Sequence, residues 1–72
     1  MQSPYKTRPA SQAITGARFE HPVTGRRVTV TSVDVQTVRS AIVIYFRTDD
    51  GVTDFVTMPL DAELSLNLHC AA

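Results

Sequence analysis

From Ile14 onward, apolar and polar residues alternate mainly with a period of two, which predicts strands rather than helices. The clearest stretch is SAIVIYFRTDDGVTDFVTM, residues 40–58, where two β-branched and aromatic runs flank Asp49-Asp50-Gly51. That composition predicts a β-hairpin. A two-residue turn at Asp50-Gly51 would pair Phe46 with Phe55. A three-residue turn with Gly51 left-handed would pair Phe46 with Asp54 and Tyr45 with Phe55, and glycine alone enters that conformation without strain. The second register is preferred because it sorts the faces. Ile42, Ile44, Phe46, Val52, Val56 and Met58 fall on one side, as a core face with Asp54 near the tip. Val43, Tyr45, Arg47, Thr53, Phe55 and Thr57 fall on the other, which is more apolar than a solvated face requires.

The remaining chain reads as shorter elements around this hairpin. Residues 1–13 hold Pro4, Pro9 and several polar residues with little apolar content, which predicts a flexible arm. Residues 14–70 are expected to form a single domain. Ala17–His21 is a short strand with Phe19 inward, and Pro22-Val23-Thr24-Gly25 is a turn. In Arg26–Gln36, Val28 and Val30 share one parity while Val33 and Val35 take the other. That change predicts a β-bulge near Thr31-Ser32. Gln36–Ser40 is a polar connection. Pro59 ends the second hairpin strand and opens a single helical turn. Leu64, Leu66 and Leu68 alternate with Ser65 and Asn67. They predict a closing strand rather than the competing short helix, around which leucines spaced by two would spread.

The predicted order is strand, long bent strand, hairpin, helical turn, strand. It indicates an all-β fold, an SH3-like small barrel of about five antiparallel strands with one short helical turn. Residues 19–64 also resemble short phage- and prophage-encoded proteins of unknown function. The likeness rests on His21-Pro22, Gly25, Val28-Thr29-Val30-Thr31 and Pro59-Leu60. It implies a small accessory protein of a phage or mobile element, and it transfers no catalytic residue.

Size makes stability a constraint. A chain of 72 residues buries only about 60% of its unfolded surface. One cysteine, Cys70, excludes an internal disulfide. Self-association or a partner is therefore the expected support, with a homodimer through the outer hairpin face. The segment MQSPYKTRPASQA carries no apolar secretory core, and no run approaches the ~20 apolar residues of a membrane span. A cytoplasmic protein is expected.

Formal net charge is zero, but it is unevenly spread. Residues 1–39 carry six cations against two carboxylates, and residues 40–72 carry one against five. The halves either present two binding surfaces or pair with each other; pairing is the preferred reading.

Chemistry is sparse. His21, His69 and Cys70 lack the close ligand pairs of small metal sites, so neither a metal nor a Cys/His nucleophile is expected. Asp49 and Asp50 are ordinary turn residues, and no phosphate loop or nucleophile elbow is present. No cofactor and no enzymatic activity are expected. Arg18, Arg26, Arg27 and Arg39 could contact phosphates in a nucleic-acid-binding barrel, but the outer aromatics lie in the acidic half, away from them. The preferred function is a non-catalytic protein-interaction module that binds and modulates or inhibits a host protein. Val43, Tyr45 and Phe55 would form its centre, with Asp49, Asp50 and Asp54 as an acidic rim. The bland alternative is that Tyr45 and Phe55 pack under the arm or the last strand of the same chain.

Overall fold

A computed structural model gives the structure of the protein and describes residues 4–68. Six antiparallel strands form one sheet: β1 (Lys6–Pro9), β2 (Arg18–Glu20), β3 (Arg27–Gln36), β4 (Ala41–Arg47), β5 (Thr53–Pro59) and β6 (Glu63–Asn67). Their order across the sheet is β1-β6-β2-β3-β4-β5, so β1 and β5 are its two edges. Single 3₁₀ turns at Ala10–Gln12 and Thr37–Arg39 are the only helical elements among the described residues.

The hairpin, the short strand around Phe19, the long bent strand and the closing strand appear where the pattern places them. β2 buries Phe19 completely. The Pro22–Gly25 turn closes with the Gly25 N–H donating to the His21 carbonyl at 2.8 Å, and Gly25 has φ 72°. β3 carries its bulge at the expected point. Val30 pairs with Phe46 and Ser32 with Tyr45, leaving Thr31 as the extra residue. The parity of β3 flips there, so Val28 and Val30 before it and Val33 after it all reach the interior. Residues 63–67 are a strand, not a helix, with Leu64 and Leu66 buried and Leu68 exposed.

Three expectations need correction. Lys6–Pro9, within the segment read as a loose arm, forms β1 and pairs with β6 from Lys6↔Leu66 to Pro9↔Glu63. All four side chains are exposed, so the strand is held by backbone pairing and leaves no apolar periodicity to read. The Ala10 N–H then donates to the Ala62 carbonyl at 2.8 Å and the Ser11 N–H to that of Leu60 at 3.0 Å. This docks the first 3₁₀ turn on the β5–β6 connection. The sequence predicts a helical turn opened by Pro59 at that connection; instead Pro59 ends β5 and the connection is a non-helical turn closed by the Ala62 N–H on the Pro59 carbonyl at 3.1 Å. The sheet also has six strands rather than about five, and no ladder joins its edges β1 and β5.

The core lies on one face of the curved sheet. Phe19, Val28, Val30, Ile42, Ile44, Phe46, Met58, Leu64 and Leu66 are buried together, with Ala10 and Ala13 from the segment after β1. At about 25 cal/mol per Å² of apolar surface removed from water, this burial is the main favourable contribution to folding. The strand part of this set comes from β2 through β6, and the Thr31 bulge switches the parity of β3 so that Val33 packs against it as well.

Candidate functional site

The β4–β5 hairpin presents the candidate surface, and its turn fixes which residues do so. The Gly51 N–H donates to the Thr48 carbonyl at 3.0 Å, and the Thr48 N–H donates to the Val52 carbonyl at 2.8 Å. Gly51 has φ 89°. This is the three-residue turn with a left-handed glycine. It pairs Tyr45 with Phe55 and Phe46 with Asp54, the register preferred from the sequence. The Thr48 hydroxyl reinforces the turn by accepting the Val52 N–H at 3.1 Å and bonding the Asp50 carboxylate. That hydroxyl, ahead of a backbone hydrogen bond within Asp50, holds the Asp50 carboxyl below its ordinary value of 3.8.

On the outer face, Tyr45 is 41% and Phe55 58% exposed. Their ring centroids are 5.9 Å apart, with the planes tilted by 45°. A shallow depression of about 500 Å³ runs beside them, bounded by Thr31 and Ser32 of the bulge and by Thr53 and Asp54 of β5. Val43 belongs to the same face but is only 8% exposed. It lies between Asp34 of β3 and Thr57 of β5. The binding centre thus reduces to the two rings.

Phe55 also belongs to an open edge. The bonded pairs at the two ends of the hairpin, Thr48 with Val52 and Leu60 with Ser40, have the same parity. Even-numbered residues of β5 therefore exchange hydrogen bonds with β4, and the amides and carbonyls of Thr53, Phe55 and Thr57 point away from the sheet. Asp54 occupies part of this edge: its Oδ1 accepts the Phe55 N–H at 2.8 Å. The sequence reading assigns Asp54 to an acidic rim and misses this capping role, which only the strand parity discloses.

The other predicted acids lie elsewhere. Asp49 accepts from Arg18 Nη2 at 3.1 Å, tying the hairpin tip to β2. Asp49 and Asp50 line a separate groove of about 630 Å³ with Glu20, Arg26 and Arg27. Arg27 Nε donates to Glu20 at 3.4 Å, and its guanidinium carbon sits 4.4 Å from the centroid of the Tyr5 ring. Of these two ion pairs only Arg18–Asp49 joins the basic first half to the acidic second half; Arg27–Glu20 lies within the first half. Arg39 lies beyond the far end of β3, in the second 3₁₀ turn. The four arginines proposed for nucleic acid therefore do not form one basic face.

His21 Nδ1 accepts the Val23 N–H at 3.1 Å and the Thr24 N–H at 3.3 Å, which makes it a turn cap. Its ring meets Phe46 edge-on at 5.4 Å. Among the described residues no three His, Cys, Asp or Glu side chains are grouped to hold a metal ion; His69 and Cys70 lie outside the described residues. Nor is any helix among them long and apolar enough to cross a membrane. Comparison with protein-family models, with curated proteins and with solved structures returns no match.

Proposed function

We propose that this protein is a non-catalytic protein-interaction module working through the Tyr45–Phe55 surface and the open edge of β5. One observation carries the reading: two tilted, half-exposed aromatic rings stand beside a strand edge with outward backbone groups. Aromatic anchors supply contact area at low entropic cost, and a free edge supplies directional hydrogen bonds. Arg18 and Arg27 already bond carboxylates, which argues against the nucleic-acid alternative. The accessory role implied by the phage-protein resemblance, modulation or inhibition of a host protein in the cytoplasm, fits a small binding module.

An SH3-like barrel is the fold reading that accompanies this function. Its support is the contact of Phe19 in β2 with Phe46 in β4, across the inside of the sheet. Hydrogen bonds that gather Ala10, Ser11 and Ser40 on the Leu60–Ala62 turn support it too. Affinity capture from host lysate, with and without nuclease, tests the function. A protein retained by the wild type in both conditions, and lost with Tyr45→Ser/Phe55→Ser, supports it. Capture that disappears with nuclease, or that the double variant leaves intact, overturns it.

A further inference from the structure

Resting on the reading of β5 as a binding edge, we infer that its occupant is β5 of a second copy, paired antiparallel with Phe55 on the two-fold axis. The two edges of the sheet are not equivalent. On β1 the Ala10–Ala62 hydrogen bond sets the parity, so that Thr7 and Pro9 point outward, and Pro9 has no N–H to offer. That edge is short and blunted. On β5 three successive outward residues, Thr53, Phe55 and Thr57, each carry an outward donor and acceptor, the Phe55 N–H being held by Asp54 Oδ1.

These three are self-complementary. With Phe55 opposite Phe55 of the second copy, Thr53 meets Thr57 and Thr57 meets Thr53. Each pair falls at a hydrogen-bonded position of the new ladder, so every outward N–H finds a carbonyl. The ladder stops by itself, because the next outward residue, Pro59, faces Gly51, whose N–H is already bonded within its turn. The side chains at these positions share the outer face, so the two rings of each copy join in one row, Tyr45-Phe55-Phe55-Tyr45. The arrangement is isologous and closed, adding no further edge of the same kind.

Asp54 regulates the edge. It falls opposite Val56 of the second copy rather than opposite another charge. Pairing must still displace its carboxylate from the Phe55 N–H, and it sets the two Asp54 residues diagonally across the axis, about 7–8 Å apart. Inward-pointing charge is a common guard on strand edges, and here it makes the dimer salt-strengthened. The area sets its scale. With Tyr45 41% and Phe55 58% exposed, each copy offers roughly 200 Å² of aromatic surface. The dimer falls below the ~1,200 Å² of stable interfaces, so association is concentration-dependent, at micromolar or weaker.

Sedimentation of the purified full chain from about 10 µM to about 1 mM measures it. The wild type rises from monomer to dimer mass. Asp54→Thr shifts the midpoint several-fold lower. Thr57→Pro, which removes an outward N–H and leaves the β4 ladder intact, stays monomeric with unchanged circular dichroism. The register is read by oxidation in a Cys70→Ser background, since bonded antiparallel residues lie about 5.5 Å apart, within disulfide reach. Chains carrying Thr53→Cys cross-link with chains carrying Thr57→Cys, and neither cross-links with itself. A wild type monomeric at the highest concentration, a dimer that survives Thr57→Pro with its fold intact, or self-linking of Thr53→Cys overturns the proposal. Because the protein is pure, its outcome is independent of the lysate capture: loss of Tyr45-dependent capture refutes the module, and loss of self-association refutes only the second copy.

Discussion

The ring of Phe19 meets that of Phe46 edge to face, with centroids 5.7 Å apart and planes at 87°. The two residues belong to β2 and β4, which are separated by β3 in the sheet. Their contact therefore spans the inside of the curve, and both are buried. Truncation here removes a fully buried ring from the centre of the core. Phe19→Ala is expected to cost about 3–5 kcal/mol, against a total of about 4–11 kcal/mol for a chain of this length. Urea denaturation followed by circular dichroism should find it largely unfolded at 37 °C. Phe46→Leu, which keeps most of the volume, should cost about 1.5 kcal/mol or less.

Backbone conformation at the two hairpin ends makes opposite predictions. Gly51 has φ 89° and open space around the position of a Cβ, so a side chain there clashes with nothing and pays only the left-handed penalty. Gly51→Ala should lose about 1 kcal/mol once the entropy gained from restricting the unfolded chain is subtracted. Ser40 occupies the same region with φ 50° and ψ 43° but is not glycine. Ser40→Gly should be neutral to stabilising by about 0.5 kcal/mol. Equilibrium unfolding of the two variants tests the sign. A stabilising Gly51→Ala would mean that the turn is not held in this conformation.

Acid should act on the hairpin tip through Asp50. The Thr48 hydroxyl holds its carboxyl below the ordinary 3.8, so the charged form is favoured in the folded state. A lowered carboxylate contributes stability that is present above the unfolded value and is lost as pH falls through the folded one. Wild type should therefore exceed Asp50→Asn in urea midpoint near pH 6, with the gap closing as pH drops below about 3.8. The group is exposed, so the effect is small and shrinks with added salt. A constant gap across the acid range would remove Asp50 as its source.

Much of this architecture is legible in the sequence because each feature leaves a local mark. The hairpin register follows from Gly51 and from the parity of Ile42, Ile44 and Phe46. The bulge follows from the parity switch between Val30 and Val33. β6 follows from Leu64 and Leu66. β1 leaves no such mark: Lys6–Pro9 bury no side chain, and backbone pairing is blind to residue type. The Arg18–Asp49 bond joins residues 31 positions apart, and only the global charge imbalance between the halves foreshadows it. At the candidate site, the Tyr45–Phe55 pair is readable from the turn chemistry. The burial of Val43, the separation of Asp49 and Asp50 from the aromatic pair, and the cap on the Phe55 amide depend on β3 and β5 flanking β4, on Arg18 of β2 meeting the hairpin tip, and on β5 being an edge.

His21 caps its turn and packs on Phe46, and its substitutions separate two functions in one side chain. Its Nδ1 accepts two turn amides, from Val23 and Thr24, as a short Asx side chain does in many turns. Its ring meets that of Phe46 in a T-shaped contact. His21→Leu retains apolar contact but leaves both amides without that acceptor. His21→Asn supplies an acceptor but gives up the ring contact. Loss of a turn cap is worth about 0.5–2 kcal/mol, and an edge-on aromatic contact about 0.5–1.5 kcal/mol. If capping dominates, His21→Asn should retain more stability than His21→Leu, and amide exchange at Val23 and Thr24 should accelerate in the leucine variant alone. The reverse order would make His21 a packing residue. Either order is independent of metal, so adding a chelator to the wild type should leave the midpoint unchanged. A chelator-sensitive midpoint would show that His21 does more than cap its turn.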